Sequence, residues 1–208
     1  MNRCRWCTMN NPRYIRYHDE EWGVLRTDDA YLAEMLLLES FQAGLSWECI
    51  LNKRENFRRA FDDFDPARIS RYGEEKVAAL LADPGIVRNR LKINAAIRNS
   101  GIFLEIVKEY GSFYRYLCAF TGGEILIEHD RTTNAWSDAI SKDLYRRGMR
   151  FVGSTNIYAY LQAVGVINAH EPGCGLYVPG VPAYNGAPSV LGPGPGRQQG
   201  SGHGAQKP

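Results

Sequence analysis

Several things are missing from this chain, and each absence removes a class of protein. It has no apolar run of about 18 residues or more, so no membrane-spanning helix is expected. The opening residues, MNRCRWCTMNNPRY, lack the apolar stretch of a secretory signal. The cysteine count is five, an odd number, and without a signal it does not read as a disulfide framework. A cytoplasmic chain with reduced thiols is the expectation, with no membrane and no protein partner implied, and a monomer. No series of segments alternates with period two, and GEILIEH is the one weak strand candidate. Residues 175–208 contain no acid at all, only Arg197 and Lys207. Set aside that segment, and the 25 Lys and Arg against 23 Asp and Glu come to an even balance.

What is present is apolar and aromatic enough to fill a core, at 44% and 12% of 208 residues. Helical signals run through the body. Asp28 and Asp29 can cap a helix to about Gln42, stopped by Gly44, and Ser46 can cap the next, from Trp47 to about Phe61. Asp65 and Pro66 open a short helix. Further helices are expected at Glu74–Leu81, about Val87–Ile97, about Phe103–Lys108, Phe113–Phe120, Ala135–Arg147 and Thr155–Ile167, with a looser stretch after Gly122 and Gly123. The fold class is all-α. Residues 179–208 are rich in Gly and Pro and poor in apolar side chains, so they read as a disordered tail behind a folded unit of residues 1–178.

Charge is uneven within the balanced body. Ile86–Arg98 carries Arg88, Arg90, Lys92 and Arg98 and no acid, and Lys142–Arg150 sets four basic residues against Asp143. Either stretch alone reads as a solvated helix face. The first, however, follows ALLADPG, a helix broken by Pro and Gly. A helix entered from Gly85 offers free backbone N–H groups to a phosphate, and Arg88, Arg90 and Lys92 add charge there. A helix-hairpin-helix grips a DNA backbone in this way, without reading sequence.

Cys4, Cys7 and His18 lie near the start, and HEPGC places His170 and Cys174 near the end of the folded part. An H-x3-C pair can chelate one ion, and Cys4 with His18 can complete a tetrahedral zinc site, with Cys7 as a competitor. More than 150 residues separate the halves, so such a site would clasp the two ends together. Scattered core and surface residues give the same spacing. Cys49 and Cys118 read as buried core thiols.

Glu39, in LESFQAGLSW, shares a helix face with Leu36, Met35 and Leu32, and Gln42 follows on that face. A carboxylate there is costly to bury unpaired. Trp6, Tyr14, Tyr17 and Trp22 crowd the first 22 residues, and Trp47 follows Glu39 closely. If a clasp draws the N-terminal segment onto the body, rings surround one acid. That combination suits a flat, electron-poor or cationic ring, and a base flipped out of a duplex is one such ligand. Any single ring, taken alone, reads as core.

The segments RCRWC, PRYIRYHDEEWGV, LLLESFQAGLSWECILNKRENFRRAF, FDPARI, GIVRNRLKI and SDAISKDLYRRGMRFVGSTNIYAYLQAVGVINAH, in this order over residues 3–177, resemble the DNA-3-methyladenine glycosylase I family. The resemblance implies an all-α helix-hairpin-helix glycosylase fold with a structural zinc joining the termini through Cys4, His18, His170 and Cys174. It implies a base pocket on Glu39, Tyr17 and Trp47, with Tyr14, Trp6 and Trp22 nearby. It implies base-excision repair: hydrolytic removal of 3-methyladenine from alkylated double-stranded DNA, leaving an abasic site, without lyase activity. Related helix-hairpin-helix enzymes carry a catalytic aspartate after the hairpin; here NAAIRNSGIF follows, with no Asp. A base already made cationic by methylation needs less acid help to leave. Three positions depart from the family pattern: Ala169 in place of a frequent Asp, Asn156 in place of an apolar residue, and Met149 in place of Phe. None of them falls on the implied pocket. The rival reading is a zinc-clasped helical module that binds damaged DNA without cutting it.

Overall fold

The computed structural model describes residues 1–179. The segment expected to be a disordered tail lies outside the described residues from position 180 onward.

Local signals explain most of the helix starts. In α1 (Pro12–Glu20), Asn11 accepts from the amide of Arg13, and proline occupies the first turn. Asp28 caps α2 (Asp29–Gln42) by accepting from Tyr31 N at 2.9 Å, and Ser46 caps α3 (Trp47–Ala60) by accepting from Cys49 N at 3.2 Å. Short α4 (Pro66–Ile69) starts on Asp65, and α5 (Glu74–Ala82) follows Gly73. Asn89 caps α6 (Arg90–Tyr110), Ser112 caps α7 (Phe113–Thr121), and a reciprocal Asn134–Ser137 box opens α8 (Ala135–Arg147). The last helix, α9, spans Ser154–Ala163.

Helix α2 is the centre of the molecule, packed against α3, α6, α7 and α9. Every residue from Leu32 to Phe41 is buried, so the helix has no solvent face along most of its length. A continuous core, including Phe41, Phe57, Phe61, Phe113, Tyr116 and Tyr160, surrounds it.

Four expectations are corrected. The two helices expected at about Val87–Ile97 and Phe103–Lys108 are one, α6; between the two expected ranges the Asn99 side chain turns to Arg150, with Nδ2 donating to its carbonyl and Oδ1 accepting from its amide, both at 2.9 Å. Helix α9 stops at Ala163 rather than running to Ile167. Gly165 turns there at φ 76°, where a Cβ would lie 2.2 Å from the backbone of Val24 and Leu25, a position only glycine can hold. Beyond it Ile167–Asn168 (β2) pairs in parallel with Leu126–Ile127 (β1), the centre of GEILIEH. Helix α1 is a further element that no apolar periodicity signals, since its buried face is Tyr14, Tyr17 and His18 rather than an aliphatic stripe. Cys49 and Cys118 are half-buried, not core, because Ile50, Leu51, Tyr116 and Leu117 beside them take the inward face.

Candidate functional site

Glu39 lies on the last turns of α2, buried to 4% exposure. Its Oε2 is buried and has no hydrogen-bond partner among the described residues. Desolvation by that burial pushes the carboxyl up to about 8. The helix end beneath it is held by side chains from elsewhere. Asn156 Nδ2 donates to the Glu39 carbonyl at 3.3 Å and to that of Phe151 at 3.3 Å. Lys92 Nζ donates to the carbonyls of Phe41 at 2.8 Å and Ala43 at 2.6 Å.

Four neighbouring segments bring rings to this carboxylate. Helix α1 contributes Tyr14 and Tyr17, the turn after it Trp22, the N-terminal loop Trp6, and the first residue of α3 Trp47. Tyr17 and Trp47 meet at 5.2 Å between centroids, and Trp6 meets Trp22 at 4.7 Å edge-on. These five rings and Glu39 line one pocket of about 350 Å³. The structure thus brings every expected pocket residue together, and adds Gln42 from the same helix face. It also adds two walls that local sequence did not signal: the loop from His129 to Thr132, and Ala159 and Gln162 of α9. The expectation that the departures spare the pocket is corrected at Ala169, which lines it.

Unpaired polar atoms concentrate here. Among the described residues, buried side-chain nitrogens or oxygens without a partner are Trp6 Nε1, Arg26 Nε, Glu39 Oε2, Trp47 Nε1 and His129 Nδ1. All but that of Arg26 belong to residues lining this pocket. Buried polar groups are normally satisfied, so such a cluster marks a site shaped for a polar ligand.

A second cluster stands behind the aromatic wall. Cys4, His18, His170 and Cys174 are all buried, and their ligand atoms lie within 4.8 Å of one another. The surroundings fit a cation. His170 Nε2 faces the Trp22 carbonyl at 3.2 Å, leaving Nδ1 toward the sulfurs, and His18 Nδ1 faces Asp19 Oδ1 at 2.8 Å, leaving Nε2 toward them. Arg3 in turn holds the Asp19 carboxyl down at about 2. Amides of Glu171 and Leu176 donate to the sulfurs of Cys4 and Cys174 at 3.3 and 3.4 Å. The cluster can therefore hold a metal ion, and Cys7 lies outside it, its sulfur 3.8 Å from the Tyr14 carbonyl. Trp22 touches His170 at 4.7 Å and Trp6 touches His18 at 5.2 Å, so cluster and pocket share a wall.

The expected phosphate residues divide. Arg88 and Arg90 are exposed, Arg90 3.1 Å from Glu74. Lys92 is a correction: it is buried at 7% exposure, and its ammonium is committed to the α2 carbonyls instead of facing a phosphate. Gly85 is another. It precedes α6 by a loop, and its amide is taken by Asp83 Oδ1 at 2.7 Å. The second basic stretch is partly neutralised, since Arg146 and Arg147 pair with Asp143 and Arg147 also pairs with Glu109.

A mostly helical fold with an aromatic slot around one buried carboxyl is shaped to hold a flat, polar ring. This chain belongs to the methyladenine glycosylase family, whose model matches residues 6–177. It is 44% identical over 184 residues to DNA-3-methyladenine glycosylase 1 of Escherichia coli (strain K12), covering 85% of this chain and 97% of that protein. Its fold is similar to a crystal structure of 3-methyladenine DNA glycosylase I, with a TM-score of 0.80 and 42% identity over 85% of this chain and all of that one. It is also similar, at TM-score 0.80 and 34% identity over 84% of this chain and 97% of the other, to a tyrosine-to-phenylalanine variant of such an enzyme in complex with 3-methyladenine.

Proposed function

We infer that this protein is a base-excision-repair N-glycosylase, which takes 3-methyladenine flipped out of alkylated double-stranded DNA and removes it by hydrolysis, leaving an abasic site. The observation that carries this reading is the buried Glu39 carboxyl, its Oε2 unpaired, in an aromatic slot of about 350 Å³. Methylation at N3 makes the base cationic. In the free pocket desolvation favours the neutral carboxyl, with its value near 8. A cationic ring beside it reverses the balance and draws out the carboxylate, which then accepts hydrogen bonds from the base edge. Tyr17 and Trp47 close on the faces of the ring, with Tyr14, Trp6 and Trp22 completing the wall. Binding the departing base more tightly as it leaves lowers the barrier to a water attack on the sugar.

The metal in this reading is zinc, held by Cys4, His18, His170 and Cys174. Bound there it would have a structural role, since four protein donors would complete its coordination, and the four residues together would tie the N-terminal rings to the C-terminal segment. Residues 1–178 form the glycosylase domain in two helical lobes, acting as a cytoplasmic monomer. Helices α5 and α6 form the hairpin, and Arg88 and Arg90 hold DNA phosphate.

The test is direct. Purified protein incubated with methylated duplex DNA should release 3-methyladenine and leave abasic sites. Salt-sensitive binding without abasic sites would support the non-cleaving module instead, and an absence of DNA affinity would leave only a structural role for the metal cluster.

A further inference from the structure

The pocket has a polar group that neither Glu39 nor the five rings account for. His129 lines it from the loop between β1 and α8, and its Nδ1 is buried without a partner among the described residues. That loop is tied down on both sides of the histidine. The amide of Glu128 donates at 3.1 Å to the carbonyl of Asn168, the last residue of the strand that leads into Ala169 and His170. The buried Glu128 carboxylate accepts from the Tyr158 hydroxyl at 3.0 Å and from Asn134 Nδ2 at 3.1 Å. The imidazole leans on Tyr177, with centroids 5.6 Å apart and planes at 53°, which limits its rotation. A fixed ring with one buried, unpaired nitrogen beside a pocket is a hydrogen-bonding group set in advance of its ligand.

We propose that His129 is a further base-recognising residue, its Nδ1–H donating a hydrogen bond to a ring nitrogen of the bound purine. The division of labour follows from what a methylated adenine offers. Its exocyclic amine needs an acceptor, which Glu39 Oε2 supplies. Its ring nitrogens with free lone pairs need donors, and a neutral imidazole can present one in the tautomer with the proton on Nδ1. Glu39 and His129 come from different elements, a central helix and a surface loop, so together they constrain the base in its plane while the rings constrain its faces. A site built to bond a ring nitrogen discriminates against ligands that lack it, because the donor is then left buried and unpaired. This inference rests on the glycosylase reading and deepens it.

The test titrates free 3-methyladenine into the full-length chain by calorimetry, comparing wild type, His129→Phe and His129→Asn. Phenylalanine keeps a ring against Tyr177 and removes the nitrogen; asparagine keeps an N–H donor close to the Nδ1 position. The expected result is about a 10-fold loss of affinity in His129→Phe, the size of one hydrogen bond to a buried donor, and affinity within about threefold of wild type in His129→Asn, with both melting temperatures unchanged. If His129→Phe does not fold, His129→Asn carries the test, and near-wild-type affinity there supports the donor role. Wild-type affinity in His129→Phe, or an equal loss in His129→Asn, overturns the inference while leaving the glycosylase reading intact. A wild type that neither binds nor releases 3-methyladenine overturns that reading, and this inference with it.

Discussion

The ammonium of Lys92, in α6, lies 2.8 Å from the carbonyl oxygen of Phe41, two residues beyond Glu39. It also reaches the Ala43 carbonyl at 2.6 Å, so a buried cation closes the negative end of the helix that carries the pocket carboxyl. A residue whose neighbours suggested DNA contact instead anchors the pocket floor. Asn156 adds a third bond to the same helix end, at the Glu39 carbonyl itself.

Lys92→Met therefore behaves unlike Arg88→Ala. Losing the ammonium leaves two carbonyls unpaired, at a cost of about 2–4 kcal/mol of stability, while the salt slope of DNA binding stays at its wild-type value. Arg88→Ala should leave stability within about 0.5 kcal/mol and reduce the salt slope by about one. Urea melts and DNA titrations at several salt concentrations check both. A reduced salt slope for Lys92→Met at wild-type stability would contradict the buried assignment.

Glu39→Gln should release 3-methyladenine about 10- to 100-fold more slowly, the size of one charge-assisted hydrogen bond lost at the reacting base. The wild-type pH profile of kcat/KM should rise toward about 8, as the free pocket's carboxyl ionises, and that rise should vanish in the glutamine variant. Equal rates in the two proteins would remove the carboxylate from the mechanism.

Stability should carry the same signature with the opposite sense. The folded chain keeps the Glu39 proton up to about 8, while the unfolded chain loses it near the ordinary value of 4.5. Between those values the folded state holds more protons, so stability falls as pH rises, by a few kcal/mol in all. Glutamine does not titrate. The melting temperature of Glu39→Gln should therefore gain on that of wild type from pH 5 to pH 8. Parallel curves would mean that Glu39 is not desolvated as the structure has it.

If the cluster holds the proposed zinc, Cys174→Ala should abolish it and lower the melting temperature by about 10 °C or more, because the free energy of binding a metal only in the folded state adds to stability. The same variant should weaken binding of free 3-methyladenine, since His170 and His18 touch Trp22 and Trp6 of the pocket wall. Metal analysis, melting and base titration follow the three effects. A wild type that is fully folded and free of metal would refute the clasp.

How much of this was written locally in the chain can be judged residue by residue. Asp28, Ser46, Asn89 and Asn134 cap helices through bonds to the residue three positions on, so short-range pattern is enough to find most helices. The inward direction of Glu39 followed from spacing, and HEPGC with the early Cys and His marked the cluster. By contrast, the bond that Asn99 of α6 makes to the Arg150 backbone joins residues 51 positions apart, and nothing nearby in the chain signals it. The loop at His129 read as loose because what holds it is Asn168 and Tyr158, and nothing nearby in the chain says so.

The sequence by itself determined most of the helices, the polar outliers on their faces and the ligand types at the two ends, because caps, periodicity and donor chemistry act over a few residues. Only the tertiary structure decided that α2 would be buried all round, that Lys92 would turn inward to close it, and that His129 would face Glu39's pocket. Each of those outcomes depends on which distant carbonyl, ring or amide is left unpaired when the helices pack, and burial makes that pairing compulsory.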